Sequence, residues 1–184
     1  MRVIGGTYRS RRLITPRGTA TRPTSDRLRE TLFNVLAPRI TGAIFADLYA
    51  GSGAVGIEAL SRGASQVYFV DQAPPAVAAI RKNLADLKIG SGFQVLPVSV
   101  STALRGITQR CSVIFLDPPY ALIGEYSRTL SELGERAPSL LSEEGIVVVE
   151  HDRKMPEPLG ENIGQLRRYR VLEQGDSGLT FYSR

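Results

Sequence analysis

The densest chemistry in the chain lies at Asp117-Pro118-Pro119-Tyr120. The prolines fix their own φ angles and bring no N–H groups. The residue before a proline is pushed away from helical backbone. The corner is therefore rigid and rich in acceptors, namely the ionised Asp117 and the Pro118 carbonyl. Tyr120 adds a flat face on which a base can stack, and Pro119 lies between them. This set suits a planar ligand with an exocyclic NH2. Acceptors on both amino hydrogens draw the nitrogen toward a tetrahedral shape and free its lone pair to attack an electrophilic methyl. Such contacts strengthen as positive charge develops on nitrogen. Asp117 is also the nearest candidate to take the proton. An ordinary strand-end turn is the bland alternative. A glycine-rich loop lying 64 residues upstream, from Gly53 to Asp117, argues against it.

That loop is Ala50-Gly51-Ser52-Gly53-Ala54-Val55-Gly56. Glycines there let the backbone turn sharply and approach a ligand, and a helix starting near Ala54 would aim free N–H groups at it. Asp71 follows Gly51 by 20 residues, where a carboxylate can accept both ribose hydroxyls. The spacing matches a dinucleotide fingerprint. No Gly-Lys-Ser/Thr follows, which excludes a P-loop. Asp47, four residues before Gly51, shifts the reading. A carboxylate so close disfavours a pyrophosphate and favours a cationic, phosphate-free nucleoside.

These groups need elements to carry them. Short apolar runs predict strands at 44–49, 67–70, 93–98, 112–116 and 145–150, with helices at 54–61, 74–87, 99–107 and 125–137 between them. Near-continuous apolar strands alternating with helices predict a parallel sheet covered on both faces. Ligands bind such sheets outside the carboxyl ends of the strands. Residues 152–164 read as loop. Two further strands, 166–172 and 179–182, flank Asp176-Ser177-Gly178 and predict an antiparallel hairpin, for seven strands in all. Before the sheet, turn residues Gly5-Gly6 separate short strands, and a helix over 25–37 ends before Pro38. The division expected is a basic hairpin-and-helix appendage, 1–38, and a main domain, 39–184.

Charge is uneven. The chain has 184 residues and a net charge of +5, yet residues 1–30 alone hold eight arginines against Asp26 and Glu30. Arg9, Arg11, Arg12 and Arg22 belong to that field, which suits polyanion phosphates. Tyr8 lies among them, placed to stack on a base or to pack on the body. One cysteine and one histidine leave no disulfide framework and no zinc-type metal site. No long apolar run or leader-like segment appears, so a monomeric protein of the cytoplasm, without membrane contact, is expected. Cys111 reads as buried filler. His151 reads as structural, and Glu150 as able to orient a nearby loop.

Taken together these stretches resemble the class I S-adenosylmethionine-dependent methyltransferases. The chain is more closely similar to the bacterial family that methylates N2 of one guanine in small-subunit (16S) ribosomal RNA. The likeness rests on Arg2–Gly6, Arg11–Leu13, Arg22–Asn34, Asp47–Ala54, Gly56–Ala64, Lys82-Asn83-Leu84 and Asp117–Tyr120. It implies a Rossmann-like α/β fold with the methyl donor S-adenosylmethionine and no metal. Gly51, Ser52 and Gly53 would cradle the donor, Asp47 would meet its amino acid end, and Asp71 its ribose. Asp117, Pro118 and Tyr120 would hold the guanine, with Arg22 bordering it. The implied substrate is an assembled or nearly assembled small subunit. Where relatives place an amide or acid near adenine, this chain has Ser99. The chemistry leaves open an adenine-N6 methyltransferase or a protein glutamine-N5 methyltransferase. A nicotinamide oxidoreductase would leave the Asp117–Tyr120 corner unexplained, and a non-catalytic RNA-binding protein would need no donor pocket.

Overall fold

In the computed structural model the described residues are 1–16, 25–119, 123–154 and 159–184. The core is an eight-stranded sheet in the order β3-β2-β1-β4-β5-β8-β7-β6. Strands β1 (Ile44–Leu48), β2 (Gln66–Val70), β3 (Phe93–Leu96), β4 (Cys111–Leu116) and β5 (Leu141–Asp152) run parallel. Strand β8 (Ser177–Ser183) inserts antiparallel between β5 and β7 (Leu166–Gln174), and β6 (Asn162–Ile163) adds a short edge.

The apolar strand residues alternate between two buried layers. Phe45, Phe69, Phe115, Val148 and Phe181 face helices α1 (Asp26–Ile40), α2 (Ala54–Ser61) and α3 (Pro74–Asp86). Leu48, Val70, Leu116, Val149 and Tyr182 face α4 (Val100–Gly106) and α5 (Ile123–Leu140). Cys111 is buried filler, its thiol pushed up to about 12 by desolvation. His151 is held between the Asp152 carbonyl and the Thr180 hydroxyl, both at 2.9 Å. No helix among the described residues is long and apolar enough to cross a membrane.

The structure corrects several expected boundaries. The eighth strand lies in a stretch read as loop. Two residues are too few to show alternation, and only the turn at Gly164 (φ 56°) lets Ile163 pair with Leu166. Helix α1 passes through Pro38. The proline strands only the carbonyl of Asn34, an exposed residue, while burial of Leu36 and Ile40 holds the last turn. Helix α5 likewise passes Pro138, because the Gln165 N–H reaches the Gly134 carbonyl that the proline leaves unpaired (3.0 Å). The hairpin turn lies at Gly175-Asp176. Gly178 is a strand residue whose hydrogen makes room for the His151 ring.

The N-terminal hairpin is a compact arm with one antiparallel bridge, Arg2 to Arg12. Val3 and Leu13 are buried in the same layer as α1 and β1. The arm rides on α2. The buried Glu58 accepts from the N–H groups of Ile4 (2.7 Å) and Gly5 (2.8 Å), and Ser61 binds the backbone of Gly5, Thr7 and Tyr8. Below it, the fully buried Arg29 of α1 donates to the Arg2 carbonyl and to Asp26, both at 2.7 Å. Glu58→Ala would leave two amides and the Arg62 guanidinium without their acceptor. It should cost about 3 kcal/mol of stability and speed limited proteolysis within residues 1–16; an unchanged cleavage rate there would refute this docking.

Candidate active site

Strands β1 and β4 are neighbours in register, Leu48 beside Leu116. The glycine loop leaves one tip and the Asp117 corner leaves the other, about 4.8 Å away at the usual strand spacing. Both open onto a single cleft of about 630 Å³ at the carboxyl edge of the sheet. Asp47, Gly51, Ser52, Asp71, Ser99, Asp117 and Pro119 all line it.

The loop is tied from behind by carboxylates. Gly51 (φ 56°) and Gly53 (φ 75°) take left-handed backbone that other residues rarely adopt, and Gly53 begins α2. Asp71 accepts from the Gly51 N–H and from the Ala73 N–H, each at 2.9 Å. Its carboxylate thus joins the tips of β1 and β2 while facing the cleft. Asp47 is buried, and its Oδ2 accepts from the Gly56 N–H at 2.8 Å. The first turn of α2, read from sequence as aiming free N–H groups at a ligand, is therefore capped by a side chain of the protein at Gly56. A phosphate would meet that carboxylate directly.

Burial pushes the Asp47 carboxyl up to about 8; its bond from Gly56 opposes that rise and the nearby Asp71 adds to it. Desolvation thus favours the protonated carboxyl near neutral pH, and a cationic group beside it would favour the ionised one.

The amine-holding corner differs in one detail from expectation. The Pro118 carbonyl, read as a second acceptor for the ligand, is buried and already accepts from the Tyr126 hydroxyl at 2.9 Å. Its remaining lone pair is the acceptor capacity left. Tyr120 and Arg22 lie outside the described residues. Ser99 lines the cleft but uses its Oγ to cap α4, accepting from the Thr102 N–H at 3.3 Å. Arg9, Arg11 and Arg12 are exposed on the arm, with Arg11 donating to the Asp86 carbonyl (3.3 Å). Tyr8 packs on the body.

Several cleft residues had no distinct signal in sequence. Tyr49 has φ 61°, strained for a side chain of this size. Its hydroxyl donates to Glu125 at 2.7 Å and lies 2.9 Å from Thr129, and burial pushes it up to about 12. Met1, Thr15 and Pro16 bring the arm to the cleft rim. The buried Asn83 holds that rim in place. Its Nδ2 donates to the Ile14 carbonyl (3.0 Å) and to the Ser52 carbonyl (2.9 Å), while its Oδ1 accepts from the Ile14 N–H (2.8 Å). This amide joins arm to glycine loop, and the Ser52 hydroxyl adds a direct contact to the Met1 sulfur at 3.5 Å.

The family described as Conserved hypothetical protein 95 matches residues 1–183. The chain belongs to that family. A Bacillus subtilis member, "Putative rRNA methyltransferase YlbH", is 37% identical over 196 residues, covering 100% of this chain and 99% of the relative. "Ribosomal RNA small subunit methyltransferase D" of Escherichia coli K12 is 36% identical over 176 residues, 95% of this chain and 86% of the relative. Among solved structures, "Putative methyltransferase yhhF from Escherichia coli" superposes with a TM-score of 0.82 at 34% identity, covering 100% of this chain and 97% of that one.

The Asp47 carboxyl gives a pH test of the site. Between its ordinary value near 3.8 and about 8, the folded chain holds a proton that the unfolded chain has released. Stability therefore falls as pH rises across that window. Asp47→Asn keeps an oxygen for Gly56 and removes the titration. Its melting temperature should exceed that of the unaltered protein by several degrees at pH 8, with about 2–4 °C for each kcal/mol at this chain length, and converge with it near pH 4. A pH-independent offset would refute the assignment.

Proposed function

We propose that this protein is an S-adenosylmethionine-dependent methyltransferase that acts on N2 of a guanine in small-subunit ribosomal RNA. The observation that carries the reading is the shared cleft, in which a carboxylate-backed nucleoside loop and the Asp117 corner leave adjacent strand tips. The names of the bacterial relatives support the substrate class.

The residues fit the donor. The cleft volume lies in the range of sites for small organic ligands. Asp71 is positioned for ribose hydroxyls, the loop for the backbone of the amino acid end, and Asp47 for its ammonium. When bound, the donor supplies an electrophilic methyl on a cationic sulfur.

Asp117 accepts a hydrogen bond from the guanine amine and turns its lone pair toward that methyl. Tyr120 stacks the extruded base, and Pro119 closes one side. A nitrogen–carbon bond forms as the carbon–sulfur bond breaks, and sulfur leaves with the electron pair. The proton on the methylated nitrogen passes to Asp117 or to water. Binding strengthens as charge grows on nitrogen, so Asp117 acts on the rate more than on affinity. Arg9, Arg11, Arg12 and Arg22 hold nearby phosphates.

The deciding experiment supplies labelled donor with undermodified small subunits, naked 16S RNA and duplex DNA, followed by nucleoside identification. N2-methylguanosine from the small subunit supports the reading; N6-methyladenine, or no transfer, overturns it. Asp117→Ala should lower kcat by at least about a hundredfold while S-adenosylhomocysteine affinity stays within about threefold. Calorimetry at pH 7 in buffers of different ionisation enthalpy should show release of close to one proton when S-adenosylhomocysteine binds. That release should vanish in Asp47→Asn.

A further inference from the structure

The charge inventory places all the positive excess in residues 1–30, but the fold gathers a second cationic field that averaging hides. Strand β7 carries Arg167, Arg168, Tyr169, Arg170 and Val171 in succession. Strand β6 pairs with it only at Leu166 and Arg167. Among the described residues, the outer edge from Tyr169 onward is open.

Tyr169 is 49% exposed, and its ring leans on Phe181 with centroids 6.1 Å apart. The arginines Arg39 and Arg170 lie close enough to act on its hydroxyl electrostatically. Arg39 comes from the end of α1 and donates to the Glu144 carbonyl at 2.9 Å, and it forms no ion pair among the described residues. Arg167 and Arg170 are exposed, and no ion pair to either occurs among the described residues. Arg168 instead reaches back to Leu159 and Glu161. The result is a half-exposed aromatic ring with Arg39 and Arg170 near it and the exposed Arg167 two residues away on the same strand.

Edge strands often carry charge simply to prevent sheet-to-sheet pairing. Charge alone would serve that end, without a supported aromatic face in the middle of it. Unpaired guanidiniums suit phosphates, and an anchored ring suits an unpaired base, a combination seen in single-strand recognition. A basic protein surface would be repelled here.

We infer that the β7 edge, with Arg39, Arg167, Tyr169 and Arg170, is a second RNA-docking surface separate from the cleft and the arm. Resting on the function proposed above, it names where the same substrate is gripped a second time. Strand β7 lies three strand spacings from β4, about 14 Å, and Arg167 and Arg170 stand at the level of Ile146 and Val148, toward the amino end of the parallel strands, so an RNA that fills the cleft reaches this patch by passing around the sheet edge. The arginines hold phosphates and Tyr169 stacks a looped-out base.

The test uses the full chain with Arg167→Ala and Arg170→Ala combined, and separately Tyr169→Leu, which keeps the packing on Phe181. The double variant should weaken binding to protein-free 16S RNA about tenfold near 0.1 M salt. It should reduce the slope of log affinity against log salt by about 1.4–1.8, the share of two phosphates. Tyr169→Leu should weaken binding about fivefold or more with the salt slope unchanged. In both, KM for RNA rises, kcat stays within about twofold, and S-adenosylhomocysteine affinity is unaltered. An unchanged slope and KM in the double variant overturns the inference while leaving methylation by the parent protein intact. A loss seen on assembled subunits but not on protein-free RNA assigns the surface to a protein contact and also overturns it. Absence of RNA methylation in the parent protein would instead remove the proposed function itself.

Discussion

A carboxylate shut away from water sits under the first turn of α2, and the cleft is organised around it. Asp47 comes from the middle strand of the parallel sheet and binds the Gly56 amide from below. This places the glycine loop at a fixed height above β1. It also occupies part of the helix end that a dinucleotide's phosphates would use. An uncompensated buried charge is costly, and burial pushes this carboxyl up to about 8. One side chain and its surroundings thus set the electrostatics at the loop.

The arm is joined to this machinery more closely than its composition suggests. Glu58 and Ser61 belong to the helix that starts at the loop, and Asn83 bridges Ile14 to the Ser52 carbonyl. The basic segment therefore supplies Met1, Thr15 and Pro16 to the cleft rim. Val3 and Leu13, buried with the sheet residues, keep it from behaving as a loose tail.

The sheet was legible in the sequence because strands covered on both faces are apolar almost throughout, and because glycines and acids mark their tips. The positions of Asp47, Asp71 and Asp117 followed from that frame. What escaped notice was whatever depends on contacts far apart in the chain. Asn83 looked like one polar residue in a helix, and its partners lie 69 and 31 residues away. Tyr49 was read as the last residue of the strand at 44–49, and its strain shows only in a backbone angle. Pro38 and Pro138 were read as stops because local rules cannot see that an exposed carbonyl or a distant amide makes up for the missing N–H. The β7 field was lost in a near-neutral average over 31–184.

The bond from Gln165 to the Gly134 carbonyl has a consequence for how the chain is made. The last turn of α5 borrows its hydrogen-bond donor from a residue 31 positions downstream, in the turn that opens β7. Gly134 and Gly164 touch so closely that neither tolerates a side chain. During synthesis, this stretch of α5 stays incomplete until the β6–β7 turn has emerged and docked. Strand β8, made later still, takes the place between β5 and β7. The wall that Glu125 and Thr129 give the cleft is therefore finished by residues that never approach it.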